Sequence, residues 1–270
     1  AGWVCVTIMG AMVQFVPVWS NRPLHSRRLA TVQLWLVAAG VAGMAAAFAT
    51  GALGWVHAFG GLALAGFWTF VYNVGRTLLR VEGLDVTERH FAFSLACFLA
   101  LTVLGPLLAL GFTQPVFDWI GIARPNVLLS HATLAVFGAV LTTVYGALYQ
   151  LATMFTQTEL HGVDHYLKRV EVVGHPAGVV LLAGGRLVGD PLIARAGAVL
   201  VVLGALAMSA IVARRLVEMA VPWTPMHTRY AVAAPALAAW ALLSAPALLD
   251  APLAHGNVLG APGAVHLLAL

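Results

Sequence analysis

The sequence predicts an all-α polytopic membrane protein built from tandem four-helix repeats, and three observations carry that reading. Of its 270 residues, 61% are hydrophobic and 9% charged, with a mean hydropathy of +0.92, which lies far outside the range of soluble chains. Apolar runs long enough to cross about 30 Å of hydrocarbon at about 1.5 Å per residue recur along the whole length. Finally, GWVCVTIMGAMVQFVPVW from Gly2 overlays GAVLTTVYGALYQLATMF from Gly138, a period of 136 residues. A period this long marks duplicated helix blocks, not a stack of short repeats.

The runs read, in order, as spans at about 1–19, 29–50, 53–76, 90–113, 126–155, 168–186, 192–214 and 229–249, with a ninth beginning near 262. Basic residues bound them unevenly. The loops after the first, third, fifth and seventh spans hold Arg22, Arg27, Arg28, Arg76, Arg80, Arg89, Lys168, Arg169, Arg214, Arg215 and Arg229, whereas the alternate loops hold Arg124, Arg186 and Arg195. By the positive-inside rule the first set is expected to be cytoplasmic, in a prokaryotic-type inner membrane. Trp19, Trp55, Trp119 and Trp223 fall near span ends, where an amphipathic ring suits the interface. The sequence pI of about 9.5 then reflects topology and contact with anionic lipid; no basic stretch interleaves aromatics as a nucleic-acid surface would. Cys5 and Cys97 lie inside spans without a CxxC and read as small buried hydrophobes.

The repeat pairs Gly2/Gly138, Val4/Val140, Thr7/Thr143, Gly10/Gly146, Ala11/Ala147 and Gln14/Gln150, and continues through Leu24/Leu160 and His25/His161. Arg89/Arg229 and Pro106/Pro246 follow with a drift of four residues. This places one block at about 1–125, a second at about 126–261 and the start of a third at 262–270. Four spans per block require parallel copies, related by rotation about the membrane normal. Ala1 opens in mid-helix and Leu270 stops inside an apolar segment, so the native chain is expected to extend in both directions.

Ten histidines are many for so few charges. His131 opens HATLAVFG and His266 opens HLLAL at nearly the repeat spacing, so successive blocks each offer a helix with an imidazole near its outer start. This arrangement resembles the large subunit of the haem-copper oxidase and nitric oxide reductase superfamily, whose twelve helices form three pseudo-symmetric blocks. The resemblance implies that the chain runs from the second helix to the start of the tenth, with His131 on the sixth and His266 on the tenth. It further implies one low-spin haem held by His266 and a histidine upstream of Ala1, because bis-imidazole ligation needs only two facing nitrogens. Gly2, Gly10, Gly138 and Gly146 would give the close approach that a macrocycle or a neighbouring helix needs.

A copper or non-haem iron site is not expected. It needs three convergent imidazoles, yet the chain has no His-His dipeptide, position 135 is Ala135, and His266 is followed by Leu267 and Leu268. The candidate metal ligands are His131 and His175, the latter beside the kink-forming Pro176; His57, near the outer end of the third span, is a further candidate cofactor contact. His25, His161 and His165 read as loop residues, and His90, His227 and His255 as span-end residues. Glu82, Asp85, Glu88, Glu159, Asp164 and Glu171 read as cytoplasmic-end groups, leaving no acidic side chain inside a span for a proton channel. Tyr145 and Tyr149, one turn apart, either pack or line a path.

Two functions remain open. One is a haem-binding, oxidase-like subunit in electron transfer or in handling oxygen or nitric oxide, working with other respiratory-complex subunits or an electron-donor protein. The other is a cofactor-free transporter or assembly subunit with the same repeats. Membrane lipid is a partner in both; nucleic acid is a partner in neither.

Overall fold

The computed structural model describes residues 2–253, and among them there is no strand. The helices are α1 (Gly2–Trp19), α2 (Arg27–Thr50), α3 (Trp55–Leu78), α4 (Val86–Leu110), the short α5 (Val116–Ile120), α6 (Arg124–Thr156), α7 (Asp164–Val188), α8 (Pro191–Glu218) and α9 (Pro225–Asp250). Seven of them, α2 to α4 and α6 to α9, are long and apolar enough to cross a membrane, and α1 is a shorter apolar helix. The protein is an all-α polytopic membrane protein. The expected ninth span lies outside the described residues.

Local chemistry sets the helix ends. Ser26 Oγ accepts the Leu29 N–H at 3.2 Å to start α2, and Gly51 stops it in the left-handed region at φ 71°. Asp85 and Glu88 form a capping box for α4. Asp190 Oδ1 accepts the N–H groups of Leu192 and Ile193 ahead of α8, at 2.8 and 3.1 Å. At α9, His227 Nδ1 accepts the Thr224 N–H at 2.9 Å, while its Nε2 donates to the Phe155 carbonyl at 2.9 Å. His227 and His90 are therefore span-end residues by position but buried by packing.

The chain divides into two compact units at Thr143/Val144, inside α6. The first holds α1 to α5 and the start of α6. Its tightest pairing is α2 on α3, where small residues let backbones touch. A Cβ on Gly40 would fall 2.5 Å from the Ala63 nitrogen and 2.7 Å from the Phe59 carbonyl, and one on Gly66 would fall 2.5 Å from Val37 Cγ2.

The second unit holds the rest of α6 and α7 to α9, and its α7–α8 pair repeats that contact pattern. A Cβ on Gly178 would fall 2.7 Å from the Val201 nitrogen and 2.9 Å from the Gly197 carbonyl, and one on Gly204 2.9 Å from His175 Cβ. Gly40/Gly178, Phe59/Gly197, Ala63/Val201, Gly66/Gly204 and Val37/His175 are each 138 residues apart. Gly10, by contrast, has nothing within 4 Å of a notional Cβ. Gly10 is thus not one of the close-approach positions.

Two helices depart from α geometry. α6 is π-helical over Leu134–Leu141 and α7 over Val170–Gly174. A π segment displaces carbonyls from their usual partners, and such segments recur at functional sites. In α6 hydroxyls take up the load: Thr142 Oγ1 donates to the Phe137 carbonyl at 3.0 Å, and Ser94 Oγ and Thr143 Oγ1, 2.7 Å apart, reach the Ala139 carbonyl at 2.8 and 2.7 Å. In α7 the break ends just before Pro176, which has no N–H to give to the helix.

Candidate functional site

The strongest concentration of buried polar chemistry lies in the second unit, on α6, α7 and α8. Glu171, fully buried, sits in the π segment of α7 and accepts the Tyr149 hydroxyl at 2.7 Å. One turn on, the buried His175 ring packs on Tyr145, with centroids 4.7 Å apart and planes at 56°. The two pairs interlock because Tyr145 and Tyr149 are four apart on α6, and Glu171 and His175 are four apart on α7. The Tyr145 hydroxyl is buried with no hydrogen-bond partner among the described residues.

The polar column continues toward one end of the unit. Arg215 of α8 donates to Thr153 Oγ1, and Thr153 in turn donates to the Tyr149 carbonyl at 2.8 Å. Arg215 also lies within electrostatic reach of Tyr149, Asp164 and Glu218. Asp164 is fully buried, with Arg214 Nε 2.7 Å from its Oδ1; Arg214 Nη2 lies 3.0 Å from Glu218 Oε1. His161, 64% exposed, ends the column 3.7 Å from Glu218. Among the described residues His161, Asp164 and Glu218 are grouped closely enough for a metal, but the Arg214 guanidinium already pairs with both carboxylates.

These contacts correct two expectations. Glu171 and Asp164 are not solvated end groups: α7 begins at Asp164, so Glu171 stands two turns inside a membrane-crossing helix, and each has an explicit partner. Tyr145 and Tyr149 pack against α7, as one of the two readings had it, and Tyr149 also bonds Glu171 through its hydroxyl. Arg186 is not a loop cation either. It is buried in α7, where its Nε donates to the Pro252 carbonyl at 3.0 Å, while the Arg195 Nε serves the Leu249 carbonyl at 2.8 Å. Both arginines satisfy the chain at the end of α9.

The predicted histidines are distributed over both units. His131 lies in the first, half-buried on α6, with its Nδ1 buried and without a hydrogen-bond partner among the described residues. Its Cε1 faces Gly105 of α4, 3.5 Å from where a Cβ would stand. His57, at the same end of that unit, pairs its Nε2 with Thr113 Oγ1 at 2.8 Å. His25 is at the other end, where Arg80 Nη2 donates to its Nδ1 at 3.0 Å. His175 belongs to the second unit, and His266 and His255 lie outside the described residues.

The first unit shows what stands at the equivalent of the polar cluster. Met9, Val13, Gln33 and Val37 correspond to Tyr145, Tyr149, Glu171 and His175, the first two at 136 residues and the last two at 138. Together with Gly10 and Gln14 they line a cavity of about 170 Å³. One block therefore has a cavity beside the Gln33 amide where the other has a phenol, a carboxyl and an imidazole.

Comparison with protein-family models, with curated proteins and with solved structures gives no match. Fold and site together define the class: a polytopic all-α membrane protein with a buried titratable cluster in its second unit.

Proposed function

We propose that this chain is a haem-binding membrane subunit of the haem-copper oxidase and nitric oxide reductase type, acting in electron transfer or small-gas handling. The observation that supports it is His131. A buried imidazole nitrogen without a partner costs about 1–3 kcal/mol, and this one lies beside the side-chain-free Gly105 at the position repeated by His266. His131 therefore fits a cofactor-contact role, whereas His57 fits it less well because its Nε2 is engaged by Thr113. When bound, haem supplies reversible one-electron chemistry at iron. The ligand that the resemblance assigns to haem is His266, and His131 would be a further cofactor contact. Basic loops on the cytoplasmic side, lipid, and an electron-donor protein or other respiratory subunits complete the proposal.

A reduced-minus-oxidised optical spectrum of the full-length protein tests it. The expected result is an α-band that His266→Ala abolishes while the protein stays in the membrane. A full-length protein without haem, or a spectrum unchanged in that variant, rules the reading out.

A second reading is supported by the break in α7. Transporters place sites at interrupted helices near the midplane, and the π segment Val170–Gly174, followed by Pro176, carries the buried Glu171. A haem-free spectrum favours this cofactor-free reading.

A further inference from the structure

We propose that Glu171 is a proton-exchange site: it takes up a proton from the end of the second unit that carries Arg214 and Arg215, and holds it against Tyr149. Glu171 is the eighth residue of α7, roughly 10 Å from the helix start at about 1.5 Å per residue, and fully buried. Tyr149 and Tyr145 face it from α6; around this pair stand His175, one turn on along α7 and packed on Tyr145, and Arg215 of α8, within electrostatic reach of Tyr149, Asp164 and Glu218. Arg215 is the nearby fixed cation; because a guanidinium does not give up its proton, it positions the hydroxyl of Thr153 and does not carry the proton itself.

A purely structural carboxylate is a poor account of this geometry. Burying an ionised carboxyl in a membrane helix is costly, and such groups mark ion and proton sites. The first unit packs the corresponding helices through the same glycine contacts with Gln33 where Glu171 stands and Val37 where His175 stands. The helix packing therefore does not require a carboxyl at this position.

The step balances without a further reactant. Uptake converts the Glu171 carboxylate to the acid, while Tyr149 keeps its own proton and its bond to the carboxyl group. Release returns the proton to water at the same end. No haem, metal or substrate is needed, so the site stands with either functional reading.

Infrared spectroscopy of the full-length protein in lipid nanodiscs, stepped through pH in H2O and D2O, tests the proposal. A carboxylic-acid stretch should grow as pH falls, shift in D2O and disappear in Glu171→Gln. Tyr149→Phe, which removes a hydrogen bond to the ionised form, should raise the proton affinity about tenfold or more, moving the midpoint up by about one pH unit. A titrating band that survives in Glu171→Gln, or no titrating acid band in the wild type, overturns it. If Glu171→Gln does not fold, the Tyr149→Phe midpoint decides, and an unmoved midpoint is the negative result. Failure here leaves the optical test of haem untouched, and the reverse is also true.

Discussion

Tyr149 donates its hydroxyl to Glu171 Oε2 at 2.7 Å, and both side chains are buried. A phenol is suited to this role, since its ring packs among apolar helices while its O–H satisfies a carboxyl oxygen. The pair joins α6 to the π segment of α7 and sets the polar character of the second unit.

Tyr149→Phe should cost about 1.5–3 kcal/mol, the usual contribution of a hydrogen bond to a charged group. Glu171→Gln should cost less in the Tyr149→Phe background than in the wild type, because the two side chains act as a unit. Denaturant unfolding in mixed micelles measures both, and additive losses would show that the bond contributes nothing to stability.

Filling the helix contacts should discriminate sharply between glycines. Gly178→Val puts a side chain against the Val201 backbone, 2.7 Å from its nitrogen already at Cβ, and should lower stability by about 1–3 kcal/mol or more. Gly10→Ala meets open space and should stabilise by up to about 1 kcal/mol through helix propensity. Thermal unfolding midpoints of the two variants should move in opposite directions.

Ser94→Ala removes the hydroxyl that reaches both Thr143 and the Ala139 carbonyl in the π segment of α6. A loss of about 1 kcal/mol is expected, and Ser94→Thr should recover part of it. Equal stability of Ser94→Ala and wild type would mean that Thr143 alone serves that carbonyl.

Building the second unit's pair into the first tests their equivalence. Gln33→Glu places a carboxyl beside Val13 with no phenol to meet it and should destabilise by several kcal/mol. Adding Val13→Tyr, the counterpart of Tyr149, should restore about 1.5–3 kcal/mol of that loss. If the double variant is no more stable than Gln33→Glu, the positions are not equivalent in space.

Membrane class and helix order are legible in the residues alone. Length and continuous apolarity decide whether a segment can cross hydrocarbon, and both are local properties; so the runs from 29–50 to 229–249 correspond closely to α2–α4 and α6–α9. The 136-residue register likewise sets Tyr145 and Tyr149 opposite Met9 and Val13 from the sequence. Which acidic groups are interior is a matter of helix packing. Glu171 follows Lys168 and Arg169 and reads as the wet end of a span, but α7 extends back to Asp164 and turns the carboxyl toward Tyr149. The glycines that bring α2 to α3 and α7 to α8 are equally hidden. The physical reason is common to both cases: in a membrane helix the lipid-facing and core-facing sides are both apolar, so no periodicity marks the inner face. The partner of a buried polar group depends on the rotation and register of neighbouring helices, which only their packing fixes.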